Sequence, residues 1–244
     1  MRNAQVFLVC LALAGACPAE EQLQKLPEEE WQKALSQLNE AMKRTTGDRT
    51  LAVETFGATR DPRVIPRLKD IVRTDKDPDV RAVAAQELGR MKDPKSADAL
   101  ISCLSLNLPP RVAEKVCMAI GNQGAARAVP ALRKVLVSPQ DTASLGKLQL
   151  LMSAMEVLGS DEIRAREAVP DIIQVYSKFD NLSRRGGKMS HERAEMIGEV
   201  AYAARRALYH ITEREFDNPE GYAKWWRSNK DAKPEKDAKP ERKE

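Results

Sequence analysis

The chain has 244 residues, and its 40 Lys and Arg residues nearly balance its 36 Asp and Glu residues, which leaves a formal net charge of +4. So small a net charge gives no support for a protein that binds a polyanion or an acidic substrate. The length is compatible with one large domain or with two smaller ones.

The N-terminal segment has the pattern of a targeting signal. Arg2 precedes an apolar run from Val6 to Ala14, which is too short to span a bilayer. The run ends in Ala14-Gly15-Ala16, a small-x-small pattern typical of signal cleavage. We therefore predict a signal peptide over residues 1–19 and an exported protein that is periplasmic, cell-surface or secreted.

Cys17 leaves a second outcome open for this segment. Cleavage after Ala16 or Ala19 would release a soluble protein, whereas small residues followed by Cys17 also resemble a lipoprotein box. Lipidation of Cys17 is therefore the alternative to soluble export, and it would anchor the protein to a membrane.

The first helix predicted in the mature chain runs from Glu28 to Arg44. Its apolar residues Trp31, Leu35, Leu38 and Met42 recur at helical spacing and share one face. A single helix ahead of a repeat array is expected to cap its hydrophobic stack.

A glycine then recurs every 32 residues, at Gly57, Gly89 and Gly121, and each follows a large apolar residue. A fourth unit contains Leu158-Gly159, and its downstream register is two residues longer. The positions five before and eleven after the first three glycines are apolar too: Ala52, Ala84 and Val116, then Leu68, Leu100 and Leu132. Two apolar stripes at this period predict stacked helical hairpins.

The dipeptides Asp61-Pro62 and Asp93-Pro94 separate the two stripes of a unit. Asp can accept a hydrogen bond at a helix start, and Pro fits the first helical position. We predict one repeat domain over residues 20–229. Its units are about 48–76, 77–107, 108–141 and 142–180, with an end-cap at 190–229.

The segment Asp77 to Gly89, DPDVRAVAAQELG, resembles the HEAT repeat in its short, phycobilisome-lyase-like form, and Asp93-Pro94 continues the likeness. This resemblance covers roughly Asp48 to Asp180. It implies an all-α fold, a right-handed α-solenoid of about four to five HEAT-like helical hairpins with capping helices at both ends. The family includes protein-binding scaffolds, bilin lyases, an iron-dependent hydroxylase and DNA glycosylases, so the fold alone fixes no chemistry.

The C-terminal part is expected to close the array and then to leave it. Trp225-Trp226 is predicted to pack over the end of the stack, with an exposed interaction site as the alternative. Residues 230–244 repeat the sequence KDAKPE and contain no large apolar residue, so we predict a disordered tail.

The candidate partner-binding groove is the exposed face of the helix that follows each glycine, which we expect to line the concave side of the solenoid. Its predicted residues are Asp70, Arg73, Ser102, Ser105, Lys134, Gln174 and Ser177. Only two of these seven residues are basic, whereas a nucleic-acid groove would be rich in Lys and Arg. The row therefore favours a protein or peptide partner and argues against nucleic acid.

Cys103 and Cys117 have two interpretations. Export would allow a disulfide between them. Both also occupy stripe positions that are apolar in neighbouring units, where a free cysteine would pack as a small buried residue. The second interpretation is favoured.

Motifs for catalysis or metal binding are scarce. The histidines are His191 and His210, and only His191-Glu192 matches the His-Glu pairs through which hydroxylases of this repeat type bind iron. A zinc site would need three or four closely placed ligands. We predict no catalytic residue, no metal and no cofactor.

These observations favour an exported, non-catalytic HEAT-repeat scaffold for protein–protein interaction. The alternatives are an enzyme, a lyase or hydrolase that uses the concave groove, and a nucleic-acid binder. Clustered titratable residues in a cleft would favour an enzyme, and a continuous basic groove would favour nucleic acid.

Overall fold

The computed structural model describes residues 23–104, 107–124, 126–138, 144–185 and 189–231. Within these ranges the chain forms eleven α-helices and two short 3-10 helices and contains no β-strand, which confirms the predicted all-α fold. The α-helices are α1 (Glu28–Ala41), α2 (Thr46–Ala58), α3 (Val64–Thr74), α4 (Pro78–Arg90), α5 (Pro94–Ser102), α6 (Pro110–Asn122), α7 (Val129–Val137), α8 (Leu145–Gly159), α9 (Val169–Arg185), α10 (His191–Thr212) and α11 (Pro219–Asn229). The 3-10 helices, Ala126–Ala128 and Arg166–Ala168, precede α7 and α9.

The helices alternate between two layers, as in an α-solenoid. The first layer contains α2, α4, α6, α8 and α10, and the second layer contains α1, α3, α5, α7, α9 and α11. Second-layer helices α3, α7 and α9 pack more closely on the first-layer helix that follows them than on the one before, whereas α5 packs more closely on α4, the helix before it. The closest pairs therefore begin one helix earlier than the units predicted from the sequence, and α1 pairs with α2.

Aspartates at the predicted turns have different roles. Asp93 caps α5 as predicted, because its side chain accepts a hydrogen bond from the Lys95 N–H at 2.7 Å. Asp61 does not cap α3, which begins at Val64 without a side-chain cap. The Asp61 carboxylate is instead fully buried in an ion-pair cluster described below.

The recurring glycines are the points where successive first-layer helices touch. Each glycine faces a residue of the next first-layer helix. That residue lies two positions before the next helix's own glycine, or before the residue that takes the glycine's place. A Cβ added at the glycine would lie only 2.6 to 3.3 Å from the nearest atom of that residue. The four pairs are Gly57 with Glu87, Gly89 with Ala119, Gly121 with Val157, and Gly159 with Ala207. The 32-residue period thus reflects a close approach between helices, which reaches backbone atoms at Gly89 and Gly159 and side-chain atoms at Gly57 and Gly121.

The two layers differ in how closely their helices approach. First-layer neighbours pack along their lengths, whereas α5 and α7 make little contact and α3 with α5 and α7 with α9 make only limited contact. Closer contacts between the helices of one layer are the packing expected on the concave side of a curved array. The packing therefore favours the first layer as the concave side, opposite to the expectation from the sequence.

An ion-pair cluster fixes the N-terminal segment on the second layer. The Asp61 carboxylate accepts hydrogen bonds from the Leu26 N–H at 2.8 Å and from the Arg63 guanidinium at 2.7 Å. Arg63 also donates to Glu28 at 2.7 Å, and its guanidinium lies 4.4 Å from the centre of the Trp31 ring. Burial raises the pKa of Asp61, but the hydrogen bonds from Arg63 and from the backbone outweigh burial and hold the pKa below its ordinary value.

At the C-terminal end, α11 closes the second layer. Tyr222 is fully buried and packs edge-on against Phe216, with ring centres 4.9 Å apart. Trp226 packs against the core and lies 5.4 Å from the Arg166 guanidinium, as expected for a closing segment. Arg166 also donates to the Asn229 carbonyl at 2.9 Å, which fixes the end of α11.

Cys103 and Cys117 are both buried and free, so the structure contains no disulfide between them. Burial raises the pKa of the Cys117 thiol to about 12, which keeps it protonated and unreactive. Their burial agrees with the interpretation that these positions pack as small apolar residues.

Several predictions fall outside the described residues. These are the signal peptide with Cys17, groove residue Ser105, and the tail from residue 232 onward. No helix in the described ranges combines the length and the apolar character needed to cross a membrane.

Gly89→Ala tests the contact between first-layer helices. The new Cβ would lie 2.9 Å from the Ala119 Cα, so backbone must move, and we expect the free energy of unfolding to fall by about 1 to 3 kcal/mol. Gly198→Ala is the matched control, because Gly198 lies inside α10 with no atom within 4 Å of the added Cβ. That change should raise stability by up to about 1 kcal/mol through helix propensity. Urea unfolding measures both, and equal effects would contradict the close approach at Gly89.

Asp61→Asn tests the N-terminal cluster. At pH 7 we expect it to lower the free energy of unfolding by about 3 kcal/mol, because Arg63 and the Leu26 N–H lose an anionic partner. The pKa of Asp61 is lower in the folded state, so its stabilisation is complete above about pH 5 and is lost as the pH falls through the folded-state pKa.

Urea unfolding at pH 7 and at about pH 2.5 should show a large gap between wild type and Asp61→Asn that narrows at the lower pH. Asp98→Asn is the control, since Asp98 is exposed and pairs with Arg127 at 3.3 Å. It should change stability by less than about 1 kcal/mol. A gap that is the same at both pH values would show that the ionisation of Asp61 is not the source of the stabilisation.

Candidate protein-interaction surfaces

The residues predicted to form the partner groove lie on the second layer, on the surface that faces away from the first layer. We call this surface the outer face. Asp70, Arg73, Ser102, Lys134 and Gln174 are exposed there, and Ser177 is half-buried. They lie on α3, α5, α7 and α9, as the register predicted.

The outer face is not a continuous groove between α5 and α7, because these two short helices barely touch. Arginines bridge the elements of this layer instead. Arg127 reaches Asp98 at 3.3 Å and the Pro94 carbonyl at 3.2 Å, and Arg133 reaches Asp171 at 2.6 Å.

The charged residues of the predicted row remain available for a ligand. In the described part of the chain, the side chains of Asp70, Arg73 and Lys134 make no hydrogen bond and no ion pair. Their charges are mixed, so the row can accept polar contacts from a protein but offers no concentrated positive or negative potential.

A second row runs along the first layer, on the surface that faces away from the second layer. We call this surface the inner face. Its members lie three residues before the glycine, or its counterpart, in each unit, and all five are exposed: Glu54, Gln86, Met118, Glu156 and Arg206. The glycine register defines this row as well, but the prediction from the sequence placed the partner groove on the other layer.

Most of the exposed large apolar side chains also belong to the first layer. Among the described residues, the large apolar side chains with the greatest exposure are Leu51 (64%), Met118 (44%), Val137 (58%), Tyr202 (60%) and Tyr209 (49%). Four of these five belong to first-layer helices, and only Val137 belongs to the second layer. Met and Tyr are residue types that protein interfaces favour.

A cavity of about 590 Å³ opens on the inner face between the C-terminal ends of α6 and α8. Met118 and Asn122 line it from α6, and Ser153 and Glu156 line it from α8. Its volume lies in the range of small-ligand and peptide side-chain sites.

Packing around Gly121 explains why the cavity is here. An added Cβ at Gly121 would meet Val157 at 3.3 Å, whereas the other three glycine contacts are 2.8 Å or shorter. The Gln123 amide fixes the neighbouring turn by donating to the Leu88 carbonyl at 2.9 Å and to the Ser96 hydroxyl at 3.0 Å. In the described structure the Ser160 hydroxyl at the cavity edge is buried and has no hydrogen-bond partner.

The ionisable groups around the cavity are Lys92, Glu156 and Glu162, so acidic groups outnumber basic ones. The cavity can therefore accept an apolar side chain beside Met118 together with a nearby cation. No group of three or more His, Cys, Asp or Glu within the described ranges is arranged to hold a metal ion.

The buried carboxylate of this layer, Glu87, lies at a helix contact and not in the cavity. Its side chain packs against Gly57, and its carboxylate pairs with Arg90 at 2.5 Å. Burial raises the pKa of Glu87, and the neighbouring Glu54 adds to that effect, while Arg90 and Arg60 oppose it.

Comparison with known proteins identifies one family. The family model described as HEAT repeats matches residues 33–113, from within α1 to the first turn of α6. The match does not distinguish the phycobilisome-lyase-like form, which stays a prediction. No curated protein matches the chain.

Proposed function

We propose that this protein binds a protein or peptide partner on its inner face without catalysing a reaction on it. The chain is a HEAT-repeat protein, and HEAT repeats commonly serve as scaffolds for protein–protein interaction. The observation that carries the proposal is the exposed Met118 beside the 590 Å³ cavity between α6 and α8.

The inner face combines the features of a recognition surface. An exposed apolar residue beside a cavity can bury a partner side chain away from water, and such desolvated contacts carry most of the binding energy at an interface. Arg206 extends the same face onto α10, and arginine is enriched among interface anchors.

The charge of the cavity indicates the chemistry of the partner. Glu156 and Glu162 outnumber Lys92, so a partner segment with an apolar residue next to Lys or Arg would fit best. The inner-face row has Glu54 and Glu156 against the single basic residue Arg206, which does not support nucleic acid as the partner.

The outer-face row remains a second candidate surface. Asp70, Arg73 and Lys134 are exposed, and their side chains are not engaged within the described part of the chain. A polar partner could bind there, although the gap between α5 and α7 interrupts the row.

We further propose that the protein acts outside the cytoplasm. The support is the sequence pattern of residues 1–19, in which a basic residue precedes a short apolar run and a small-x-small motif. Lipidation at Cys17 would hold the scaffold at a membrane surface, and cleavage at Ala16 or Ala19 would leave it soluble.

Two substitutions with similar exposure on opposite faces test the binding surface. Met118→Glu places a charge beside the cavity, and Val137→Glu places the same charge on the outer face. We expect Met118→Glu to reduce partner recovery about tenfold or more when the tagged protein is purified from the cell envelope, and Val137→Glu to leave it unchanged. Both proteins should keep the wild-type melting temperature, because both sites are exposed.

Two further variants distinguish the competing surfaces. One combines charge reversals at Asp70, Arg73 and Lys134, and the other ends after Asn229, which removes only the predicted tail. Loss of the partner from the triple variant, with retention by Met118→Glu, would place binding on the outer face. Loss only on truncation would assign binding to the Lys-rich tail and would refute the inner-face proposal.

A further inference from the structure

The N-terminal end of the first layer carries an open groove between α1 and α2, with a volume of about 340 Å³. Ala34 and Leu38 line its α1 side, and Leu51 stands on its α2 side with 64% of its surface exposed. The α2 residues that line it are Asp48, Leu51, Ala52, Thr55, Phe56 and Thr59.

The same surface occurs one repeat later, where a helix covers it. Counterparts of the six α2 residues lie 32 positions on in and just after α4, namely Val80, Val83, Ala84, Glu87, Leu88 and Met91. All of them except the half-buried Val83 are buried, and α2 is the first-layer helix packed on that side of α4. Within the described ranges, the groove on α2 is therefore a helix-binding surface that no helix covers.

The glycine contacts define which kind of helix fits this groove. At four successive interfaces, a glycine of one helix meets the residue two positions before the glycine, or its counterpart, of the next. Thr55 holds that position in α2, and it is exposed. We infer that the groove between α1 and α2 is a docking site for a helix of a partner protein that presents glycine to Thr55.

A second copy of this chain does not provide such a helix at its free end. Ala207 of α10 faces Gly159, so the counterpart of the repeated glycine in α10 is Tyr209. Tyr209 is 49% exposed, and Tyr202 lies two turns earlier on the same open side of the helix. These rings would hold a second copy away from Thr55, and end-to-end stacking of copies is thereby blocked.

The composition of the groove suits a reversible partner. Asp48 and Thr59 stand where α4 and its following turn have the fully apolar Val80 and Met91. This polarity lets α2 remain exposed in the absence of a partner, while Leu51 and the base formed by Leu38 and Phe56 supply the apolar contact.

The test uses a defined helical probe. It is a fluorescein-labelled peptide with the sequence of residues 77–91, which is a first-layer helix of this chain with its own N-cap Asp77 and with Gly89. The matched control peptide carries Gly89→Leu. We expect fluorescence anisotropy with the full chain to give a dissociation constant about tenfold lower for the glycine peptide than for the leucine peptide.

Protein variants locate the binding. Thr55→Trp should fill the groove and weaken binding of the glycine peptide about tenfold, whereas Val137→Trp on the outer face should not change it. Both positions are exposed, and circular dichroism melting should confirm that both variants remain folded. The result does not depend on the inner-face proposal, because Met118→Glu should leave this peptide's affinity unchanged.

Three results would overturn the inference. One is equal affinity for the two peptides, or no binding of either. Another is a wild-type dimer in sedimentation velocity that Thr55→Trp dissociates, which would make a second copy the occupant. The third is a peptide that binds the chain beginning at Leu23 but not the full chain, which would assign the groove to residues 1–22.

Discussion

First-layer helices approach each other closely at their glycines, and this contact determines how the repeats stack. A Cβ added at Gly57, Gly89 or Gly159 would lie 2.8 Å or less from the nearest atom of the next helix. The first helix of each pair therefore has no room for a side chain at this point. The second layer has no equivalent contact, and its helices stand farther apart. The difference favours the first layer as the concave side of the array.

The same difference explains how each layer is stabilised. The first layer is held mainly by apolar burial between closely packed helices, and residues such as Leu88, Val116 and Leu158 are fully buried there. The second layer also buries apolar side chains, and arginines bridge its neighbouring elements, from Arg63 to Glu28, from Arg127 to Asp98 and from Arg133 to Asp171. The exposed Met118 lies on the inner face of these closely packed first-layer helices.

The sequence allowed the helical repeats to be predicted because their signal is local and periodic. Glycine spacing and the apolar stripes at Leu68, Leu100 and Leu132 predicted the hairpins, and all three leucines are fully buried. The capping role of Asp93 followed from its position before Pro94 and is confirmed. Asp61 has the same local sequence, yet its carboxylate binds Leu26 and Arg63, because a contact 35 residues away in the chain competes with the local cap.

The candidate surfaces were harder to predict because they depend on relations between helices. The row Asp70, Arg73 and Lys134 was placed correctly on exposed helix faces, but the sequence contained no measure of which layer lies on the inside of the curve. Which layer lies on the inside depends on how closely neighbouring backbones approach. The glycine period predicted the repeat, but the packing of Gly89 against Ala119 became visible only in the structure. The cavity beside Met118 likewise arises from a looser contact at one glycine, which no local pattern encodes.

The two ends of the array are closed in different ways. At the C-terminal end, Tyr209 stands where the other first-layer helices have their glycine, and α11 packs on α9 in the second layer. At the N-terminal end, Arg63 and Asp61 fix the chain over the second layer, but α2 keeps its outward side uncovered. A repeat protein that terminates one end with a bulky side chain has defined its length in that direction. The opposite end can then make specific contacts without promoting uncontrolled assembly, because α10 presents Tyr209 and not the complementary glycine.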